Sequence, residues 1–493
     1  MPRNRTLAAI ALPFLLTIAA AADAPRITVR FDAAVSATPY TGRVFIMTTQ
    51  RGGEPRRGPS WFGTEPFYSL EVRDWKPDTP LEFDAGKALG FPGPLAELPA
   101  GKYRLQAVID LNGWSHHVID APGNGYSDVT TLQHDPAAPA AIELRISKTV
   151  RQRPLEDSDD IKYVKLKSDL LSRFYKRDIE IMAAIALPEG YEEAADRRYP
   201  TVYMIPGFGG TIRDAAGMLR YMGPGFFASQ GLDAAVVFLD PDCPTGHHVF
   251  ADSANNGPRG ESLIRELIPE LEKRFRLIPE PRARFVTGHS SGGWSSLWLQ
   301  VTYPDFFGGV WSLSPDPVDF HAFQTLDIYD PKQNYYTLPD GKPRPISRGD
   351  MGTVLTCRTF DDMEAVVGRG GQIQSFDAVF GPRGPDGRPV PLWDRKTGRL
   401  DPKIAEAWKK YDIRLIVEST WPTLGPKLKG KLHLFCGDVD TFHLEGAFFR
   451  LRDALQRLGS DAHVEVIPGA GHGLPPTVFQ KCAEQMARKF NGR

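Results

Sequence analysis

Between residues 25 and 150, apolar and polar side chains alternate in short runs. Ile27, Val29 and Phe31 are separated by Thr28 and Arg30, and similar alternation covers 43–47, 103–109 and 142–146. Successive side chains of a strand point to opposite faces, so alternation broken by Gly and Pro predicts antiparallel strands. About 125 residues of this kind suit one all-β sandwich domain of immunoglobulin-like size. The next stretch changes character. Around Pro154 stand Glu156, Asp157, Asp159 and Asp160, and residues 151–175 read as a solvated linker.

From residue 176 to 493 the rhythm becomes strand, loop, helix. Apolar runs at 179–187, 201–205, 234–239, 284–287, 310–313, 432–436 and 464–467 predict buried strands. Between them lie helical patterns. In 445–458, Phe448, Leu451, Leu455 and Leu458 fall on one face; 262–275 does likewise, with Pro269 expected to kink it. Buried strands alternating with helices predict a doubly wound, mostly parallel sheet covered on both faces, an α/β domain. Residues 320–430 break the rhythm, with Pro, Gly and charge but weak periodicity apart from a helix near 404–408. An insertion of that length between core strands reads as a lid or a set of binding loops.

The first residues have a separate purpose. Arg3 and Arg5 precede an apolar run over 7–22, followed by small residues at Ala20, Ala22 and Ala24. That is the pattern of a cleavable secretory signal over 1–24, and it implies a secreted or periplasmic protein. The alternative is a membrane anchor, but Pro13 interrupts a run already short for a bilayer. After cleavage no membrane attachment is expected.

Lys+Arg at 59 against Asp+Glu at 60 leaves a formal charge of -1, which argues against a nucleic-acid partner. Cys243, Cys357, Cys436 and Cys482 are far apart, so neither a metal site nor dithiol redox chemistry is indicated, and no cofactor is expected. Cys436 ends an apolar run and reads as a buried thiol. His116-His117 lacks a third ligand at a metal spacing and reads as ordinary strand or loop.

The chemistry lies in Gly288-His289-Ser290-Ser291-Gly292, between the strand 284–287 and a helix starting near Gly293. A serine placed on a sharp strand-to-helix turn needs small neighbours, and the two glycines supply them. Such a hydroxyl also needs a histidine to take its proton, a carboxylate to orient the histidine, and donors for the oxyanion. Ser290 is the candidate nucleophile; Ser291, without a glycine two residues before it, is its rival. The candidate base is His472, in Gly469-Ala470-Gly471-His472-Gly473 beyond the last strand. The acid should follow the penultimate strand, where Asp438 and Asp440 both stand and Asp440 is favoured. Chain order is then Ser, Asp, His, as in α/β-hydrolases. The oxyanion donors would be the Ser291 amide and one from Pro206-Gly207-Phe208-Gly209-Gly210, with Phe208 first and Gly209 second. His247, His248 and Trp294 are candidates for contact with substrate, although loop histidines are usually solvated and Trp294 with Trp298 could simply pack a helix on the sheet.

Residues of about 178–316 and 430–475 resemble the putative-esterase family, which includes feruloyl esterases, enterochelin-type siderophore esterases, S-formylglutathione hydrolases and mycolyltransferases. The resemblance rests on Tyr199-Pro200-Thr201-Val202-Tyr203-Met204-Ile205-Pro206-Gly207, Glu266-Leu267-Ile268-Pro269-Glu270-Leu271-Glu272, Gly288-His289-Ser290-Ser291-Gly292-Gly293, Tyr303-Pro304-Asp305-Phe306-Phe307 and the turn at His472. It implies a triad on Ser290, Asp440 and His472, oxyanion amides on Phe208 and Ser291, and a small-molecule or carbohydrate ester as substrate. A β domain ahead of the hydrolase domain is also seen among siderophore and feruloyl esterases. Two departures bear on the substrate: Pro206 stands where a histidine is usual, and the 320–430 insertion is long. A serine peptidase of prolyl-oligopeptidase type would need a propeller of repeated blades, which about 125 residues without repeats cannot build. A non-catalytic glycan-binding protein would not need every catalytic position filled.

Overall fold

The computed structural model describes residues 24–63, 65–349 and 354–492. The segment 1–24, expected as a signal, lies outside these but for Ala24. Among the described residues, no helix is long and apolar enough to cross a membrane.

Residues 26–149 are all-β, as the alternation predicts. The long strands Tyr40–Thr49, Phe67–Trp75 and Gly101–Ile109 lie side by side and antiparallel, while Arg26–Phe31 runs parallel to Ala141–Thr149. Backbone pairing links all nine strands into one continuous sheet, where two separate sheets were expected. Alternation along Tyr40–Thr49 serves two cores. Val44 and Ile46 join Val29, Phe31, Leu105 and Ile146 inside the β unit. Phe45 and Met47 point the other way, into an apolar cluster shared with the strands after residue 160 and with the insertion.

The second sheet has eight strands. In spatial order they are Ile161–Lys167, Glu180–Ala186, Ala235–Leu239, Thr201–Ile205, Arg284–His289, Gly309–Leu313, Leu432–Gly437 and His463–Ile467. The first two pairings are antiparallel and the remaining five parallel. The chain goes outward from Thr201–Ile205 to Ala235–Leu239, then crosses back to Arg284–His289. The ends of Thr201–Ile205 and Arg284–His289 therefore flank the point where the winding reverses, the place where open α/β sheets leave a crevice.

Two expectations need correction. Residues 151–175 are not all linker, because Ile161–Lys167 is the edge strand of the catalytic sheet and Asp169–Tyr175 is a helix capped by Ser168. Acidic residues beside Pro154 hid a strand whose only fully buried side chains are Ile161 and Val164, one on each face of the sheet. Pro269, expected to kink or split its helix, is absorbed by a wide turn over Leu263–Leu267 just before it, and the helical path continues through Ile268–Arg274. A proline has no N–H to give, and a wide turn removes the need for one.

The insertion is a compact helical layer. Besides Pro402–Trp408, close to the helix expected there, it contains Cys357–Val367, Gln372–Phe380 and Ile413–Leu428. Phe320, Phe323, Phe376, Phe380 and Trp408 form its aromatic centre, and Phe380 reaches Trp294 on the helix after Ser290. Asp319, fully buried, accepts from Arg414 and Arg450 and pins the layer's base. All four cysteines are buried free thiols.

Candidate active site

The Arg284–His289 strand passes into the Ser291–Thr302 helix through one residue, Ser290, at φ 61° and ψ -123°. That conformation is costly for a residue with a side chain and persists only where the surroundings impose it. The Ser290 N–H donates to Leu313 O at 3.0 Å, and its carbonyl accepts from Trp294 and Asp316 amides. The neighbouring glycines are required by contact. A Cβ at Gly288 would lie 2.3 Å from Gly292 O, and one at Gly292 would lie 2.0 Å from Ile205 O. Gly207, on the adjoining loop, passes so near that its Cβ would stand 3.4 Å from that of Ser290.

His472 sits on the turn after His463–Ile467. Its Nδ1 is 2.8 Å from Asp440 Oδ2, which leaves Nε2 as the basic ring nitrogen. Asp440 is fully buried, and its other oxygen accepts from the Phe442 N–H at 2.8 Å. Asp438, the other acid considered, is turned aside and accepts from the Gly469 N–H. Arg348 of the insertion clasps the acid loop, donating to the Asp440 carbonyl and pairing with Glu445 at 2.6 Å. His289 donates from Nε2 to the His472 carbonyl at 2.8 Å. Burial, beside His472, pushes its pKa down to about 4, so it is a neutral strut under the histidine turn.

Ser290 and His472 line one cleft of about 230 Å³. Gly207 and Phe208 border it on the side of the Thr201–Ile205 strand, Ser291 begins the adjoining helix, and Gly209, the second donor considered in that loop, does not line it. The other walls are mainly apolar: Ile346, Phe360, Ile373 and Phe376 from the insertion, Phe442 and Leu444 after Asp440, and Trp61 from the β unit.

His247, His248 and Trp294 do not line this cleft, which corrects their reading as substrate contacts. His247 is buried and makes two bonds: Nδ1 accepts from the Val249 N–H, so Nε2 carries the proton it donates to Pro206 O at 3.0 Å. Burial lowers its pKa to about 4. The ring is a neutral brace behind the Phe208 loop. His248, equally buried, accepts from the Phe250 N–H. Trp294 stacks on Trp298 with centroids 5.2 Å apart and packs the helix. His116 binds Asp242 through Nδ1 at 2.6 Å, tying the β unit to the loop beside Phe208.

Asp316 and Trp61 were missed. Asp316 follows the Gly309–Leu313 strand, as Asp440 follows the next one, so its position past a core strand was a readable signal. It lines the cleft, accepting from Ser291 Oγ at 2.5 Å and from Ser290 Oγ at 3.4 Å. Burial pushes its carboxyl up to about 6 despite those bonds. Trp61 gave no signal, since a tryptophan in a glycine-rich turn looks like any surface aromatic.

Residues 175–420 match the family model described as Putative esterase. Among solved structures the chain is similar to a CE1 ferulic acid esterase of Anaeromyces mucronatus (14% identity, 68% of this chain and 92% of that one, TM-score 0.36). It is also similar to an S-formylglutathione hydrolase of Agrobacterium tumefaciens (12% identity, 67% and 92%, TM-score 0.38). A third is a fluorophosphonate-binding serine hydrolase of Staphylococcus aureus (14% identity, 66% and 98%, TM-score 0.41). Through residues 175–420 the chain belongs to the Putative esterase family and is a hydrolase of carboxylic esters.

Proposed function

We propose that the protein is an exported esterase working through a Ser290–His472–Asp440 triad and an acyl-enzyme, with the β unit of residues 25–150 set ahead of the catalytic unit. The observation that carries this is the 2.8 Å pair between His472 Nδ1 and Asp440, set in the same cleft as a serine held at φ 61° on a strand-to-helix turn. Ser290 Oγ attacks the ester carbonyl while His472 Nε2 takes its proton. The carbonyl oxygen, now negative, is held by the Phe208 and Ser291 amides, helped by the positive end of the Ser291–Thr302 helix. His472 returns the proton to the leaving alcohol, and Ser290 keeps the acyl group. Water, deprotonated by His472, then attacks the acyl-enzyme and frees the acid and Ser290. Asp440 holds the Nδ1–H tautomer throughout. Bulky, mainly apolar walls around a cleft of about 230 Å³ support a substrate whose ester end is compact and weakly polar. Arg3, Arg5 and the Ala20, Ala22, Ala24 pattern support export.

The test is turnover of short-chain esters by the purified chain. Ser290→Ala should remove ester hydrolysis and Asp440→Asn should lower kcat by about 10³–10⁴. Hydrolysis that survives Ser290→Ala would contradict the triad.

A further inference from the structure

We infer that Trp61, carried by the N-terminal β unit, sets the size limit of the ester group that the cleft accepts. The inference rests on the serine-esterase reading of the cleft and assigns a specificity-determining residue to it. Trp61 lies far in sequence from every catalytic candidate, yet it lines the same cleft as Ser290 and His472. Its ring stacks on Phe208 with centroids 5.5 Å apart and planes 21° apart. It meets Phe360 of the insertion edge-on at 5.3 Å and Phe442 at 6.1 Å. Phe442 in turn meets the His472 ring edge-on at 5.0 Å. One indole thus closes the gap between the loop of the proposed oxyanion amide, the insertion and the loop beside the base.

The turn that carries Trp61 is anchored on both sides. Before it, the Arg56 N–H donates to Gln106 Oε1 at 3.1 Å, and the Arg56 guanidinium, itself buried, pairs with Glu54 and Asp120. After it, Thr49 Oγ1 donates to Glu65 at 2.6 Å. An indole packed against Phe208, Phe360 and Phe442 over a cleft of about 230 Å³ is a wall that a longer chain must displace. Replacing it with alanine opens the cleft towards the β unit and leaves Ser290, His472 and Asp440 in place.

The experiment compares wild type, Trp61→Ala and Trp61→Phe, as full chains, on two ester series: ethyl acetate against ethyl octanoate for the acyl side, and ethyl acetate against octyl acetate for the alcohol side. Trp61→Ala should raise the long-to-short ratio of kcat/KM by about tenfold in at least one series, with Trp61→Phe intermediate. A purely structural role would lower all esters together and leave both ratios alone. Ratios that remain within about threefold of wild type in both series, or that fall, overturn the inference. Thermal unfolding of both variants and labelling by a small fluorophosphonate show that fold and nucleophile are intact. Absence of labelling and of turnover in the wild type would instead overturn the serine reading beneath it, so the two failures are told apart.

Discussion

A single methyl group at residue 292 would land 2.0 Å from the carbonyl oxygen of Ile205, and one at 288 would land 2.3 Å from that of Gly292. Both contacts are with backbone, one on the Thr201–Ile205 strand and one on the first turn of the Ser291–Thr302 helix, which cannot give way as a flexible side chain would. Gly292→Ala should therefore cost about 1–3 kcal/mol of stability and displace the Ser290 turn, lowering kcat/KM for any ester. Denaturant unfolding together with initial rates checks this; an alanine variant of unchanged stability and activity would refute the close approach. The same residues explain why this part of the site could be read from sequence. Glycine spacing, the position past a strand and the order Ser, Asp, His are all local properties of the chain. Whether a histidine is buried is not, and so His247 and His248 read as solvated loop residues or substrate contacts when both are buried. The choice between Asp438 and Asp440 depended on which carboxylate turns towards His472, a matter of side-chain direction that one sequence cannot express.

Among elements, the insertion was hardest to read, and one of its helices is buried nearly all round. In Gln372–Phe380, Ile373, Ser375 and every residue from Phe376 to Phe380 are buried, so no polar stripe remains to mark a period of 3.6. Its N-terminus is held by a carboxylate from the preceding helix: Glu364 accepts from the Ile373 and Gln374 amides at 3.0 and 3.1 Å. Burial nevertheless lifts Glu364 to about 8, against an ordinary value of 4.5. Between those values the folded chain retains a proton that the unfolded chain has released. Stability should then fall as pH rises through that window, the opposite sign to a carboxylate held below its ordinary value. Glu364→Gln keeps an acceptor oxygen and removes the titration. Its melting temperature relative to wild type should climb steadily from about pH 5 to 8; parallel curves would show that Glu364 does not hold its proton. The strand Ile161–Lys167 makes a related point. Its two fully buried residues, one on each face, could not outweigh the acidic run before it, and only pairing with Glu180–Ala186 reveals it.

On the scale of the whole molecule, the β unit is built into the enzyme and not merely tethered to it. Phe45, Met47, Phe67, Phe91 and Val108 belong to the core cluster of the catalytic sheet. Arg369 of the insertion binds Asp110 at 2.6 Å and donates to the carbonyls of Asn112, Ser115 and Pro244. The sequence separated a β part from an α/β part because their rhythms differ. It could not show that the outer face of the first is the inner face of a shared core, since Phe45 and Met47 alternate with residues equally apolar. That junction is also why the cleft has walls from three parts of the chain around one serine.

The most direct test of the account is the position of a covalent adduct. The intact chain is treated with a fluorophosphonate, digested and mapped by tandem mass spectrometry. One phosphonylated residue is expected, Ser290, with its formation abolished by Ser290→Ala and slowed when His472 is replaced. An adduct on Ser291, or no adduct in a folded protein, would contradict it.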